Sequence, residues 1–339
     1  MNTPAKIFGA LFVAFLLLMG VNRAGAITIY AVDSSNPQNL LRFDSATPGT
    51  IQDSSPITGL QPNETIQGID YRTTNTALYA LGSTSRLYTI NRFNGVATPV
   101  GGPLPFSVTG IIGFEHDPTS VDFRVVSIDK KNIRLNSDGT VAATEFNLFY
   151  ADGDPNEGAD PNITGAAYTT NVFAARITTL YAIDALLNIL VTQDPPETGA
   201  LRTKGPLGVD AGFLVGFDIA SASGNNTGFA TLRVSGTTVL YTINLTTGAA
   251  TLIGAVGGNP VLVDMTVSLE AQNFVVTNTS HLAFGDCSVS SCNLRQAIQA
   301  ANAKPGPDII SFNISGNGVQ TFNPPVQLPA ITDPVTIDG

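Results

Sequence analysis

A glycine leading a short apolar strand recurs four times in this chain, at Gly68 (GIDYR), Gly113 (GFEHD), Gly165 (GAAYT) and Gly216 (GFDIA). The steps between them are 45, 52 and 51 residues. A fifth strand of the same kind, LVDMTVS at 262–268, follows one step later without its glycine. After each glycine strand comes a second phrase: LYALG with RLYTINRFNGVATPVG, then FRVVSIDKKNIRLNSDGTVAAT, LYAIDALLNILVTQ and VLYTINLTTGAATLIG. Within it NGVAT, DGTVAAT and TGAAT place a turn glycine ahead of small and β-branched residues, the pattern of β-hairpins. A period of about 50 residues with three or four strands per unit points to the blades of a β-propeller.

The two ends of the repeat complement each other. The stretch ITIYAVD…NLLRFDSATPGTIQ (27–52) carries the hairpin phrase without a glycine strand before it, and LVDMTVS is a glycine-type strand with no hairpin after it. Pairing them completes a blade and removes exposed sheet edges. The expected fold is therefore all-β, a five-bladed propeller over 27–270 closed by N- and C-terminal strands. Its blades are 27–52 with 262–268, 66–100, 110–150, 162–205 and 213–256. An open sandwich of the same strands is the alternative.

Charged residues are only 12% of the chain, which excludes a coiled coil or a long charged helix, and 43% hydrophobic residues exclude a disordered chain. The net charge of −10 and the absence of any Lys/Arg cluster exclude nucleic acid as a partner. At the N-terminus, Lys6 precedes the apolar run 7–21 and Ala24-Gly25-Ala26 follows it, which reads as a secretory signal peptide over 1–26. The run is shorter than the roughly 20 residues that span a bilayer, and no membrane span is expected after cleavage. The expected location is secreted or at the cell surface. Cys287 and Cys292, in GDCSVSSC, are read as a disulfide, which an exported compartment permits. A zinc site would need further ligands, and the only histidine nearby is His281.

The ordered string GIDYR…LYALG…RLYTI…GVATPVG, GFEHDPTSVDFRVVS…NIRLN, GDPNEGADPNITGAAYT and TTLYAID…QDPPETGAL resembles a bacterial family of domains of unknown function numbered 4394, from residue 27 to about 257. The resemblance implies a name and a context but no activity. The family has Phe-Asp-Phe-Asn-Pro where this chain has Phe114-Glu115-His116-Asp117-Pro118, which puts His116 at an aromatic position and weakens a catalytic reading of it.

From about 271 to 339 the character changes. Cys292-Asn293-Leu294-Arg295-Gln296-Ala297 resembles the CSLREA motif, with Asn for Ser and Gln for Glu, and AIQAANAKPGPDIISFNI and LPAITDPVTIDG follow it. That resemblance implies a helix capping the N-terminal end of a right-handed parallel β-helix. Leu294, Ala297, Ile298 and Ala301 fall at i, i+3, i+4 and i+7, one apolar helix face suited to covering a solenoid's open end. Solenoids bury a core only with about three repeats, so the segment is expected to be an incomplete β-helix start.

Chemistry has little material. Only two histidines are present, His116 and His281, and no G-x-S-x-G, H-E-x-x-H, Walker-type or G-x-G-x-x-G phrase occurs. No catalytic residue is assigned. Aligning the five glycine strands sets Asp70, Glu115, Ala167, Asp218 and Asp264 in register, so that four acids would converge on the axis as a candidate Ca²⁺ or Mg²⁺ site. The reading preferred over a cation is that each carboxylate ties a neighbouring blade through backbone amides or an arginine such as Arg72, Arg124 or Arg134. The loop 152–160 begins D-x-D-x-N like a calcium loop but has Glu157 at position six and Ile163 at position twelve, and reads as a solvated turn. The functional expectation is a non-enzymatic binding or structural module of a bacterial surface or extracellular protein, facing a polysaccharide or surface protein. The alternatives are the N-terminal part of a carbohydrate-active β-helix protein and a cation-dependent propeller hydrolase.

Overall fold

The protein is described here by a computed structural model covering residues 27–106, 110–120, 122–172, 175–222, 225–268, 273–281, 287, 291–302, 308–316, 318–331 and 335–338. The expected signal peptide, 1–26, lies outside these residues.

The chain builds five blades, each a sheet running outward from an inner strand. The first supplies β1 (Thr28–Asp33), β2 (Asn39–Asp44) and β3 (Ile51–Pro56). The second is β4 (Ile66–Tyr71), β5 (Leu78–Gly82), β6 (Leu87–Ile90) and β7 (Ala97–Val100). The third is β8 (Ile112–His116), β9 (Phe123–Ser127), β10 (Asn132–Leu135) and β11 (Val141–Thr144). A two-residue strand β12 (Phe149–Tyr150) precedes the fourth: β13 (Ile163–Tyr168), β14 (Leu180–Asp184), β15 (Ile189–Gln193) and β16 (Ala200–Pro206). The fifth is β17 (Gly216–Ala222), β18 (Asn225–Val234), β19 (Thr237–Ile243) and β20 (Ala250–Ala255). Then β21 (Leu262–Val267) returns to the first blade and pairs antiparallel with β1, Ile29 opposite Val267 and Ala31 opposite Met265. The ring is thus closed within one sheet by the two ends of the repeat, and the open sandwich is not formed. One boundary moves: 149–150 does not end the third blade but runs parallel to β16 as the outer edge of the fourth, Tyr150 opposite Leu201.

Five inner strands contact one another in a circle, β4 to β8, β8 to β13, β13 to β17, β17 to β21 and β21 to β4. The glycine rhythm has its cause here. A Cβ on Gly68 would come to 2.6 Å from Phe114 Cβ, on Gly113 to 2.7 Å from Ala166, on Gly165 to 3.1 Å from Phe217 Cβ, and on Gly216 to 2.5 Å from Met265. Each glycine is the place where the next inner strand crosses.

Among the described residues, the propeller's core forms five clusters, each shared by two adjacent blades. Tyr30 and Leu40 pack with Ile69 and Tyr71, Tyr79 and Leu87 with Phe114 and Phe123, and Val126 with Tyr168 and Ala182. Ile183 and Leu190 meet Phe217 and Ile219, and Phe229 and Leu240 meet Phe43 and Met265. Every blade is covered on both faces, so its inner strands are buried end to end, as in β8, whereas the outer strand β11 alternates half-buried with exposed residues. Burying each large apolar side chain contributes about 1.5–3 kcal/mol, and because the clusters are shared, closing the ring is what secures it.

Beyond β21 the chain forms a parallel sheet, β22 (Asn273–Val276), β23 (Asp308–Phe312) and β24 (Val335–Asp338), with helix α1 (Leu294–Asn302). Ala297, Ile298 and Ala301 are buried with Val276 and Ile310, and Leu294 packs at the edge of that cluster, as the i, i+3, i+4, i+7 spacing predicts. Cys287 and Cys292 form the expected disulfide. Asn293 and Gln296 cap the helix start reciprocally: Gln296 N–H donates to Asn293 Oδ1 at 3.0 Å, and Asn293 N–H donates to Gln296 Oε1 at 3.0 Å. Asn293→Ala should therefore cost about 1 kcal/mol locally, read as faster amide exchange along α1 with the propeller's exchange unchanged.

Candidate functional site

Side chains alternate across a strand, so the residue two after each inner glycine lies on the glycine's face and points inward. Three of the four expected acids meet on the axis: Asp70, Glu115 and Asp218 each bring an oxygen within 4.8 Å of the others, and all three are buried. Asp264 is buried too but stands one level away. Tyr79 lies opposite Asp70, Tyr181 opposite Ala167, and the equivalent Tyr30 opposite Thr266. The residue in register with the acids is therefore Thr266, and Asp264 occupies the level of the inner glycines. Counting two residues on from a glycine fails in β21, which has no glycine to count from.

The aspartates act as latches. Asp70 accepts from the N–H of Tyr71 at 2.7 Å and, across the blade interface, from the N–H of His116 at 2.7 Å. Asp218 accepts from Ile219 N–H at 2.5 Å and from Val267 N–H at 2.7 Å. Asp264 accepts from Met265 N–H at 2.8 Å and from Ile69 N–H at 2.9 Å. Each binds the amide after itself and one amide of the next inner strand, always in the same rotational sense. Tethering through backbone amides is thus realised, and tethering through arginine is not. Arg124 and Arg134 pair with Glu145 instead, and among the described residues no ion pair reaches the axial acids.

The latches do not account for the whole cluster. Thr266 Oγ1 lies 3.0 Å from Asp70 Oδ1 and 3.0 Å from Asp218 Oδ2, but a hydroxyl has one proton and can donate to only one of them. Glu115 is in hydrogen-bond contact with Asp70, and its Oε2 has no partner among the described residues. Burial, reinforced by Asp218, holds Asp70 well above the usual carboxylate range. Burial and the neighbouring Asp70 do the same to Glu115, and burial alone pushes Asp218 up to about 6. Burial likewise raises Asp264 against the pull of its two amide bonds. Such a group of acids holds together only if protons or a cation lie among them. His116, whose own N–H is the amide latched by Asp70 and whose ring packs edge-on against Phe123, is kept neutral by burial and then by Arg72, which lower it to about 3; its Nε2 has no partner among the described residues.

In the loop 152–160, Asp154 and Glu157 are committed to backbone amides, and Asp160 pairs with Lys130. Asp154 accepts from the N–H of Thr203 on β16 at 2.6 Å and from Asn156 N–H, and Glu157 accepts from Gly153 N–H. His281 lies apart from the axial acids, beside α1 residues Leu294 and Arg295.

A second site was not singled out from sequence. A polar cleft of about 480 Å³ opens where the third and fourth blades meet, lined by Asp117, Arg124, Arg134, Glu145, Arg176 and Glu197 among others. Its floor is a fixed ion pair: Arg124 Nη1 lies 2.7 Å from Glu145 Oε2, with side chains 5% and 7% exposed. Arg124 also donates to Tyr168 Oη at 2.8 Å and Asn132 Oδ1 at 2.6 Å. Arg134, 40% exposed, holds Glu145 from above, and Arg176 and Glu197 stand at the rim. The available signal was an arginine inside an otherwise apolar strand, FRVVS.

No curated protein matches the chain. Residues 39–266 match the family described as a domain of unknown function, DUF4394. The match runs from the start of β2 nearly to the end of β21, farther than the 257 reached by motif resemblance, and it takes in the axial acids and the cleft. Spanning more than half the chain, it shows that this protein belongs to the DUF4394 family.

Proposed function

We propose that this protein is a non-enzymatic binding module of an exported protein, and that it takes a short stretch of polysaccharide in the cleft between the third and fourth blades. The observation that carries this reading is the buried Arg124–Glu145 floor beneath a rim of mixed guanidinium and carboxylate groups. Both kinds of group are planar forks that can bond paired hydroxyls, and fixing the floor in advance lowers the entropy lost on binding. The cleft's volume is that of an ordinary ligand site. Three arginines against three acids leave no net charge, which favours a polyhydroxylated ligand over a strong anion. The Cys287–Cys292 disulfide supports export. Burial of the axial acids weighs against the hydrolase alternative, since carboxylates without exposed surface cannot touch a polymer.

The C-terminal segment reads best as the first coils of a parallel β-helix with α1 as its cap. Support comes from the stacking of β22, β23 and β24 in parallel register, Asn273 beside Ile309 and Ile309 beside Thr336.

Affinity electrophoresis of the full chain through gels containing neutral or acidic soluble polysaccharides tests the cleft. At least one should retard the wild type, with Arg176→Ala and Glu197→Gln each binding about tenfold more weakly, the loss of one charged hydrogen bond. Equal retardation of wild type and both variants, or none by any polysaccharide, would sink the reading.

A further inference from the structure

We propose that Asp70, Glu115 and Asp218 hold one hard divalent cation of the Ca²⁺ class on the propeller axis, with Thr266 Oγ1 as a fourth oxygen. The proposal is independent of what occupies the cleft.

The geometry supplies three reasons. First, three carboxylate oxygens from three different blades lie within 4.8 Å of one another, close enough to share one ion at the 2.3–2.6 Å typical of Ca²⁺–oxygen contacts. Second, Glu115 is not a latch: it bonds no backbone amide among the described residues, and its Oε2 is buried without a partner. An acid spent on blade pairing would have an amide, as Asp70, Asp218 and Asp264 do. Third, Thr266 Oγ1 stands between Asp70 and Asp218 with one proton for two acceptors. A cation removes the conflict, because the hydroxyl then offers a lone pair to the ion and its proton to one carboxylate.

Among the described residues, no basic side chain pairs with the cluster. β13 contributes Ala167, and β21 contributes Thr266 and, one level away, Asp264, whose oxygens are committed to Met265 and Ile69. All ligands are oxygen, which selects a hard ion over zinc or copper. Because four of the five inner strands provide one ligand each, the ion would join the second, third and fifth blades directly and the first through Thr266.

The test uses the full chain, stripped with a chelator and titrated with Ca²⁺. Native mass spectrometry should show one Ca²⁺ per chain, lost again in chelator. The thermal midpoint should rise by about 5 °C or more at a hundredfold excess over the dissociation constant. Glu115→Gln should abolish both effects while leaving the three latches in place, and Asp152→Asn, in the other acid-rich segment, should preserve both. A wild type that retains no Ca²⁺ and shows no shift overturns the proposal, as does a shift that survives in Glu115→Gln or disappears in Asp152→Asn. Should Glu115→Gln fail to fold, the wild-type stoichiometry and its reversal by chelator still decide.

Discussion

Arg124→Met is expected to destabilise the protein by about 3 kcal/mol, the low end of the cost of breaking a buried ion pair. The guanidinium has three kinds of partner: Glu145 at 2.7 Å, Asn132 at 2.6 Å and, across the blade interface, the Tyr168 hydroxyl at 2.8 Å. Methionine fills much of the volume and satisfies none of them. The loss stays near the low end because Arg134 Nε, 3.2 Å from Glu145 Oε1, still faces the abandoned carboxylate. Glu145→Gln in the same chain should return part of the loss, since a neutral amide costs less to leave buried than an unpaired charge. Denaturant unfolding of the two single variants and the double variant gives the coupling directly. A loss below about 1 kcal/mol for Arg124→Met would mean that the pair behaves as a surface salt bridge and that the cleft floor is not fixed.

How far the sequence carried depends on whether a feature is local or assembled. The blade rhythm was legible because its cause is local: each inner strand must pass the next at van der Waals distance, and only glycine permits this at 68, 113, 165 and 216. Closure was legible from chain ends that each lacked what the other had. The register of Asp264 was not, because β21 carries no glycine; the better guide was the tyrosine of LYA and IYA, which sits opposite the ring position at Tyr79, Tyr181 and Tyr30. The cleft was not legible because Asp117, Arg124, Glu145 and Glu197 share no motif and meet only once two blades are side by side. The short β12 reads from sequence as the end of a blade because two residues have no periodicity.

The inner glycines make a second expectation with a large effect. Gly113→Ala should destabilise by about 1–3 kcal/mol or more, the cost of overpacking a closed core. The new Cβ would lie 2.7 Å from both the Cβ and the backbone N of Ala166, and 3.0 Å from the carbonyl carbon of Gly165. Two of those three atoms are backbone, so no rotamer change relieves the clash; β8 and β13 must separate. Ala166→Gly in the same chain removes the Cβ contact but not the clash with the nitrogen, and should restore only part of the loss. Gly102→Ala is the control, because nothing lies within 4 Å of its added Cβ, and its effect should stay within about 0.5 kcal/mol. The ring amplifies the difference. In an open sheet a strand pushed outward relaxes at a free edge, but here β8 is held on its other side by β4 through the Asp70 latch to His116. Separation at β8–β13 therefore strains that latch or opens the pairing of β1 with β21, where no covalent bond holds the circle. Hydrogen exchange distinguishes the two. Faster exchange at Tyr30 and Thr266, the facing pair that bonds across the seam, in Gly113→Ala and remote from the substitution, would show that the circle yields at its seam, whereas protection there with loss confined to β8 and β13 would show that the blades absorb the strain singly.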